Sequence, residues 1–335
     1  MRNYMPLGKV KPWSRRQLLK LGLAGAGVTG VAIALQTLKL QHQSPVRVPP
    51  LLDDALARAG TGLNPMQVLR DFDYGTIKRE NGRTIREFRI VAGTSTIQLN
   101  SAVVFNSWNF NGRVPGPTLR AKQGDRIRVL FLNKGGHAHS MHFHGIHPDA
   151  VDGIRPVSDE AATIYEFDAE PFGVHLYHCH TAPLVRHISK GLYGMFIVDP
   201  PDGRPPADEL VLVMAGYDVN EDNHKEFYAF NGKPDYYMMH PIPIYQNQLI
   251  RLYVLNMIEL DPVATFHLHA NFFRVYPTGM TLTPTQETDV ITMGTAERHI
   301  LEFSYRYPGK YMFHPHQDAL AEAGCMGQFE VLPLA

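Results

Sequence analysis

Gly173-Val-His-Leu-Tyr-His178-Cys179-His180 is matched later in the chain by Gly309-Lys-Tyr-Met-Phe-His314-Pro315-His316, with the glycine and the two outer histidines at the same spacing. Each copy is preceded by another His-x-His pair, His142-Phe-His144 and His267-Leu-His269. A short apolar and aromatic run of this kind reads as a strand, and strand alternation places the first and third residues on one face and the middle one on the other. His178 and His180 therefore share a face, and Cys179 points the opposite way. Repetition of the whole pattern makes the chain two similar halves.

The surrounding sequence agrees with that reading. Strand signals run over Thr84 to Val91, Ser95 to Leu99, Arg126 to Leu132, Thr163 to Phe167, Val174 to Tyr177 and Met195 to Val198. A second series covers Leu210 to Met214, Leu249 to Leu255, Phe272 to Tyr276, Arg298 to Phe303 and Lys310 to Phe313. Short strands separated by Gly, Pro and Asp turns indicate an all-β chain of two Greek-key β-sandwiches. Asp199-Pro-Pro-Asp-Gly-Arg-Pro-Pro206 is the clearest linker, which divides the chain into a first domain at 66–199, a linker at 200–208 and a second domain at 209–335.

One His-x-His pair carries little information, because short motifs recur by chance. Four pairs at duplicated positions, one of them enclosing a cysteine, carry more. Imidazole and thiolate are ligands that copper prefers. Ten of the 17 histidines fall at positions that such sites would use, so the chain is expected to bind several copper ions.

Over residues 70 to 335 the arrangement resembles the multicopper oxidases, specifically the two-domain bacterial type related to laccases and to copper nitrite reductases. Phe110-Asn-Gly-Arg-Val-Pro-Gly-Pro-Thr-Leu-Arg-Ala-Lys-Gln-Gly-Asp125 is similar to the family's first-domain signature and stands ahead of His-x-His-Gly at the distance the family uses. The resemblance implies cupredoxin-like sandwiches and four coppers per chain: one type 1, one type 2 and two type 3. Cys179, His139 and His187 are implied as the type 1 ligands. In the second half Ala264 stands for His139, Pro315 for Cys179, and the segment matching His187 is three residues shorter. The second domain therefore lacks all three strong ligands.

At the axial position Leu192 stands where a methionine often does, with Met195 the competing candidate. A non-coordinating residue there disfavours Cu(II) and raises the reduction potential. The resemblance also implies that His142 and His267 hold the type 2 copper, and that His144, His178, His180, His269, His314 and His316 hold the type 3 pair. Electrons would pass from Cys179 through its backbone to His178 and His180, so that substrate oxidation and the reduction of O2 to water are separated in space yet covalently joined. Asp152, with Asp149 as the other candidate, resembles the family's proton-relay carboxylate, although an aspartate before glycine is also an ordinary turn residue. In two-domain relatives the first domain of one subunit faces the second domain of the next, which implies a homotrimer with each cluster at a subunit interface. A copper nitrite reductase, which carries an aspartate where this chain has His142, is the rival reading. A copper-storage or electron-carrier protein is another, but a carrier would need only the type 1 site.

Lys+Arg and Asp+Glu are equal at 32 each, so nothing suggests a nucleic-acid partner. Ser14-Arg15-Arg16-Gln17-Leu18-Leu19-Lys20, followed by the uncharged stretch Leu21 to Leu38, has the layout of a twin-arginine export signal over residues 1–40, with Ala32-Ile33-Ala34 as a small-x-small cleavage site. An uncleaved anchor is the alternative, and export places the protein in the periplasm or outside the cell. Residues 41–65 read as a tether. The reducing substrate stays open among phenols, aromatic amines and metal ions such as Cu(I), Fe(II) or Mn(II); the 13 methionines are scattered, with Met238-Met239-His240 the one local cluster. Cys325, at the position matching Leu192, reads as a buried inert thiol.

Overall fold

The chain folds as two β-sandwiches joined back to back, because each sheet it forms has one apolar face for its own core and, in two of the four, a second apolar face for the other domain. A computed structural model describes residues 64–146, 148–261 and 263–334. The expected export signal at 1–40 and nearly all of the tether lie outside the described residues.

In the first sandwich, one sheet runs in the order Phe72–Asp73, Thr118–Lys122, Tyr193–Asp199, Gly173–His178, His142–Phe143. The other runs Thr76–Glu80, Arg83–Gln98, Arg126–Asn133, Ala162–Asp168, with Val104–Phe110 also pairing with the long strand. Parallel neighbours far apart in sequence, such as Thr118–Lys122 beside Tyr193–Asp199, require the chain to cross to the other sheet and return between them. Phe88, Phe110, Phe131, Phe143, Phe167, Tyr177 and Phe196 fill the core between the sheets. The second sandwich repeats the plan with six-stranded and five-stranded sheets around Phe230, Phe266, Phe273, Phe313 and Phe329.

Thr84 to Val91 and Ser95 to Leu99, expected as two strands, form one strand, Arg83–Gln98. Its first half pairs with Arg126–Asn133 and its second half with Val104–Phe110, so the change of partner occurs without a break in the strand.

The duplicated motif occupies the same place in each half. His142 pairs with His178 across an antiparallel ladder, and His267 pairs with His314 in the same register. The glycine that opens each copy has a reason: Gly173 and Gly309 take φ of 148° and 151°, a region that only glycine enters readily.

Alternation along Gly173–His178 then sorts its side chains. Tyr177 and Cys179 join the first core, whereas Val174 and Leu176 pack with Val211, Val213, Tyr253, Leu255 and Ile300 of the second domain. Polar groups close the same interface beside the linker. The buried Arg120 guanidinium donates to Asp199 at 2.8 and 2.9 Å and to Glu209 at 2.7 and 3.0 Å, and Tyr253 Oη donates to Glu209 at 2.6 Å. Burial alone would raise the Glu209 carboxyl, but Arg120 outweighs it and holds it below the ordinary value.

Breaking a buried ion pair from one side costs about 3–5 kcal/mol, and less where the remaining carboxylates still reach water, as they do here. Arg120→Leu should therefore lower the unfolding free energy by about 2–3 kcal/mol in denaturant titrations. A loss below about 0.5 kcal/mol would mark the network as no stronger than a surface pair.

Candidate copper centres

Cys179 lies immediately beyond its strand, His139 forms an isolated antiparallel bridge with Val157, and His187 sits in the short helix Leu184–Ser189. These three elements bring Cys179 Sγ to 3.2 Å from His187 Nδ1 and 3.7 Å from His139 Nδ1, with the two nitrogens 3.2 Å apart. All three side chains are buried. Burial, with the neighbouring imidazoles His137 and His187, pushes His139 down to about 3, and burial, with His137 and Arg186, pushes His187 down to about 4. Both rings are therefore neutral at physiological pH and keep a lone pair for a metal.

Two imidazoles and a thiol converging on one point fit the trigonal His2Cys donor set of a blue copper centre. The axial candidates separate cleanly. Leu192 packs in the core cluster that holds Cys179, and Met195 points the other way, into the interface between domains. Cys325 is buried in the second core, and burial raises its thiol well above the ordinary value.

On the opposite face of the same strand lies the first histidine quartet. His144 Nε2 is 2.9 Å from His178 Nε2, and the His142 ring is 5.1 Å from that of His180. Two of these rings are fixed by carbonyls: His178 Nδ1 donates to Cys179 O at 2.9 Å, and His142 Nδ1 donates to Asp152 O at 2.7 Å. A carbonyl only accepts, so Nε2 of both rings carries the lone pair, the orientation in which imidazole binds a metal. Burial, reinforced by neighbouring imidazoles, also pushes His144 to about 3; His178 is brought to about 4 by burial against an opposing backbone hydrogen bond.

The second quartet repeats these contacts. His269 Nε2 and His314 Nε2 are 2.9 Å apart, His314 Nδ1 donates to Pro315 O at 2.7 Å, and His267 Nδ1 donates to Asp289 O at 2.9 Å. His316 lies 5.2 Å from His267, ring to ring. Among the described residues no ring contact or hydrogen bond joins one quartet to the other, so a single chain presents two separate halves.

Asp152 Oδ1 lies 3.1 Å from His142 Nδ1, whereas Asp149 is exposed in the preceding turn. Gly153 lets Asp152 approach so closely: a Cβ there would lie 1.9 Å from Met141 O. Two residues escape the sequence reading. Asp289 Oδ2 stands 3.6 Å from His267 Nδ1, the counterpart of Asp152, but no local motif marks it. His137 adds a further imidazole beside His139 and His187, and Trp108 packs edge-on against all three. His137-Ala-His139 is itself a His-x-His pair; requiring a copy in the second domain hides it, because Pro262 stands there.

Family models described as multicopper oxidase match residues 92–203 and 204–335. A solved structure described as a multicopper oxidase is 47% identical and covers 82% of this chain and 99% of its own, with a TM-score of 0.80. The copper nitrite reductase of Nitrosomonas europaea is 26% identical over 74% of this chain and 94% of its own, with a TM-score of 0.69. The copper-containing nitrite reductase of Neisseria meningitidis is 27% identical over 261 residues, 70% of this chain and 67% of that protein. With this fold and these donor sets, the chain belongs to the multicopper oxidases, copper-binding oxidoreductases related to the copper nitrite reductases.

The depressed imidazoles predict a pH dependence. In the unfolded chain they titrate near about 6.5, so between that value and about 4 the unfolded state binds protons that the native state refuses. Their contribution to stability is intact above about pH 6.5 and is lost as the pH falls toward 4. Metal-free protein should unfold at lower denaturant at pH 5 than at pH 7.5, and equal midpoints would contradict buried neutral rings.

Proposed function

We propose that this chain is a laccase-like oxidase that couples one-electron oxidation of a small reductant to the reduction of O2 to water, using four coppers per chain. The observation that carries the reading is the pair of matching quartets, His142, His144, His178, His180 and His267, His269, His314, His316, set beside one His2Cys site. Nitrite reduction at a type 2 copper needs fewer imidazoles and, in those relatives, an aspartate at the His142 position; here that position is histidine. Bound copper would supply one-electron oxidation at the Cys179 site and four-electron oxygen reduction at the histidine cluster.

The residues divide that work. His139, His187 and Cys179 would hold the type 1 copper, and Leu192, packed beside Cys179, would offer it no donor. Cys179 and His178 are adjacent in the chain, so the two sites share a backbone. His142 and His267 would hold the type 2 copper and the other six histidines the type 3 pair. Asp152 holds the His142 ring and would pass protons to the cluster. Because one chain presents two separate half-sites, completion falls to a neighbouring copy, and a homotrimer closes every pair. Exposed apolar residues near the quartets, Ile154 in the first domain and Phe272 and Val290 in the second, support burial of those surfaces in an assembly. The twin-arginine signal sends the protein to the periplasm or beyond. Phenols, aromatic amines and reduced metal ions are the candidate donors.

Copper-loaded protein is expected to sediment as a trimer, carry four coppers per chain and be blue. Cys179→Ser should remove the thiolate-to-copper absorption and leave most of the cluster copper in place; a retained band would remove Cys179 from the site.

Oxygen and nitrite chemistry are separated by an electrode and one substitution. Wild type should consume O2 and form no nitric oxide from nitrite, and His142→Asp should lose O2 turnover while staying blue. Brisk nitric oxide formation by wild type, with O2 uptake unaffected in His142→Asp, would favour the reductase.

A further inference from the structure

Ser140, fully buried between the His139 and Met141 side chains in sequence, touches both copper centres at once. Its backbone N–H points at Cys179 Sγ, 3.4 Å away. Its hydroxyl oxygen accepts the backbone N–H of His180 at 3.2 Å, with Thr181 Oγ1 a further 3.5 Å donor to the same oxygen. The residue after one blue-site ligand thus grips the sulfur with its main chain and the first residue past that sulfur with its side chain.

The second domain provides a comparison within the same molecule. Thr265 follows Ala264, which stands where His139 does, and Thr265 Oγ1 accepts the His316 backbone N–H at 2.6 Å. The hydroxyl clasp on the last histidine of the motif is therefore kept where no thiolate exists. The backbone N–H is not idle there. It donates to Gln317 Oε1 at 3.0 Å, and that amide oxygen also takes the Thr265 hydroxyl at 3.1 Å. Clasp and sulfur contact are separable features, and only the first domain combines them.

We propose that Ser140 is a positioning residue that ties the blue site to the histidine cluster, its hydroxyl clasp on His180 holding its own N–H against the Cys179 sulfur. The inference rests on the reading of Cys179 as a copper thiolate. A hydrogen bond to that sulfur withdraws charge from it, which disfavours Cu(II) and raises the reduction potential. The clasp also closes a hydrogen-bonded loop from sulfur through Ser140 to the His180 backbone, parallel to the covalent route through Cys179. Loss of the hydroxyl leaves the N–H in the sequence but frees the segment that aims it.

Ser140→Ala, Ser140→Thr and Thr265→Ala in the copper-loaded protein test this, read by spectroelectrochemical titration of the blue band and by anaerobic stopped-flow transfer of an electron from the blue site to the cluster. Ser140→Ala is expected to lower the potential, shift the thiolate absorption and slow the transfer severalfold. Ser140→Thr, which installs the hydroxyl that the second domain uses, should restore all three. Thr265→Ala, which removes the matching clasp in the domain whose motif carries Pro315 in place of the cysteine, should leave potential and absorption at wild-type values, so general loosening of such a clasp is told apart from the effect on the thiolate. An unchanged potential in Ser140→Ala, or equal shifts in the alanine and threonine variants, would overturn the proposal. If wild type has no thiolate band, the reading of Cys179 falls and this proposal falls with it; a normal wild-type band with an inert Ser140→Ala removes only the proposal.

Discussion

Adjacent side chains on an extended strand leave on opposite faces, and the rest of this molecule is arranged around that constraint at His178-Cys179-His180. The cysteine has no choice but to enter the first core once the two histidines face away from it. A thiol pointing into a core needs partners there, and they come from segments well separated in sequence: His139 from an isolated bridge and His187 from a short helix. The histidines, on the other face, need partners from the neighbouring strand His142–Phe143, which the shared ladder supplies. Two donor sets of different character thus lie back to back across a single layer of backbone.

Duplication uses the same layer twice and keeps only part of it. In the second domain the strand register, the carbonyl anchors on the rings and the hydroxyl clasp from Thr265 all persist. What changes is the face turned toward the core. Pro315 replaces the cysteine and Ala264 replaces a histidine, and the space is filled by ordinary packing that includes Cys325. One face of a strand can lose its chemistry completely while the other is untouched, because the two share no side-chain contacts.

Much of this was legible because it is periodic and local. His-x-His spacing, the opening glycine and the alternating apolar runs are all visible within eight residues. The long strand Arg83–Gln98 was not, since Gly93 and Thr94 resemble a break and only the pairing with Val104–Phe110 carries the strand through them. Asp289 was hidden for a different reason. It reaches His267 because two strands of one sheet, Ala264–Leu268 and Val290–Met293, lie side by side, and no short-range pattern encodes that meeting. His137 was visible in kind but lacked the copy that makes the other histidines stand out from a histidine-rich chain.

The cluster of Cys179, His139 and His187 is sealed. His139, Cys179 and Leu192 have no exposed surface, His187 has almost none, and Trp108, with Arg186 lying 5.4 Å from its ring centre, covers the outer side. A molecule approaching from that side therefore meets the edge of an indole or an imidazole and never the thiol itself. Recognition by shape has little to act on in such an arrangement. On the proposed reading, partners would be sorted by how readily they surrender an electron and how near they come, so tolerance of varied donors would follow from the thickness of that insulation.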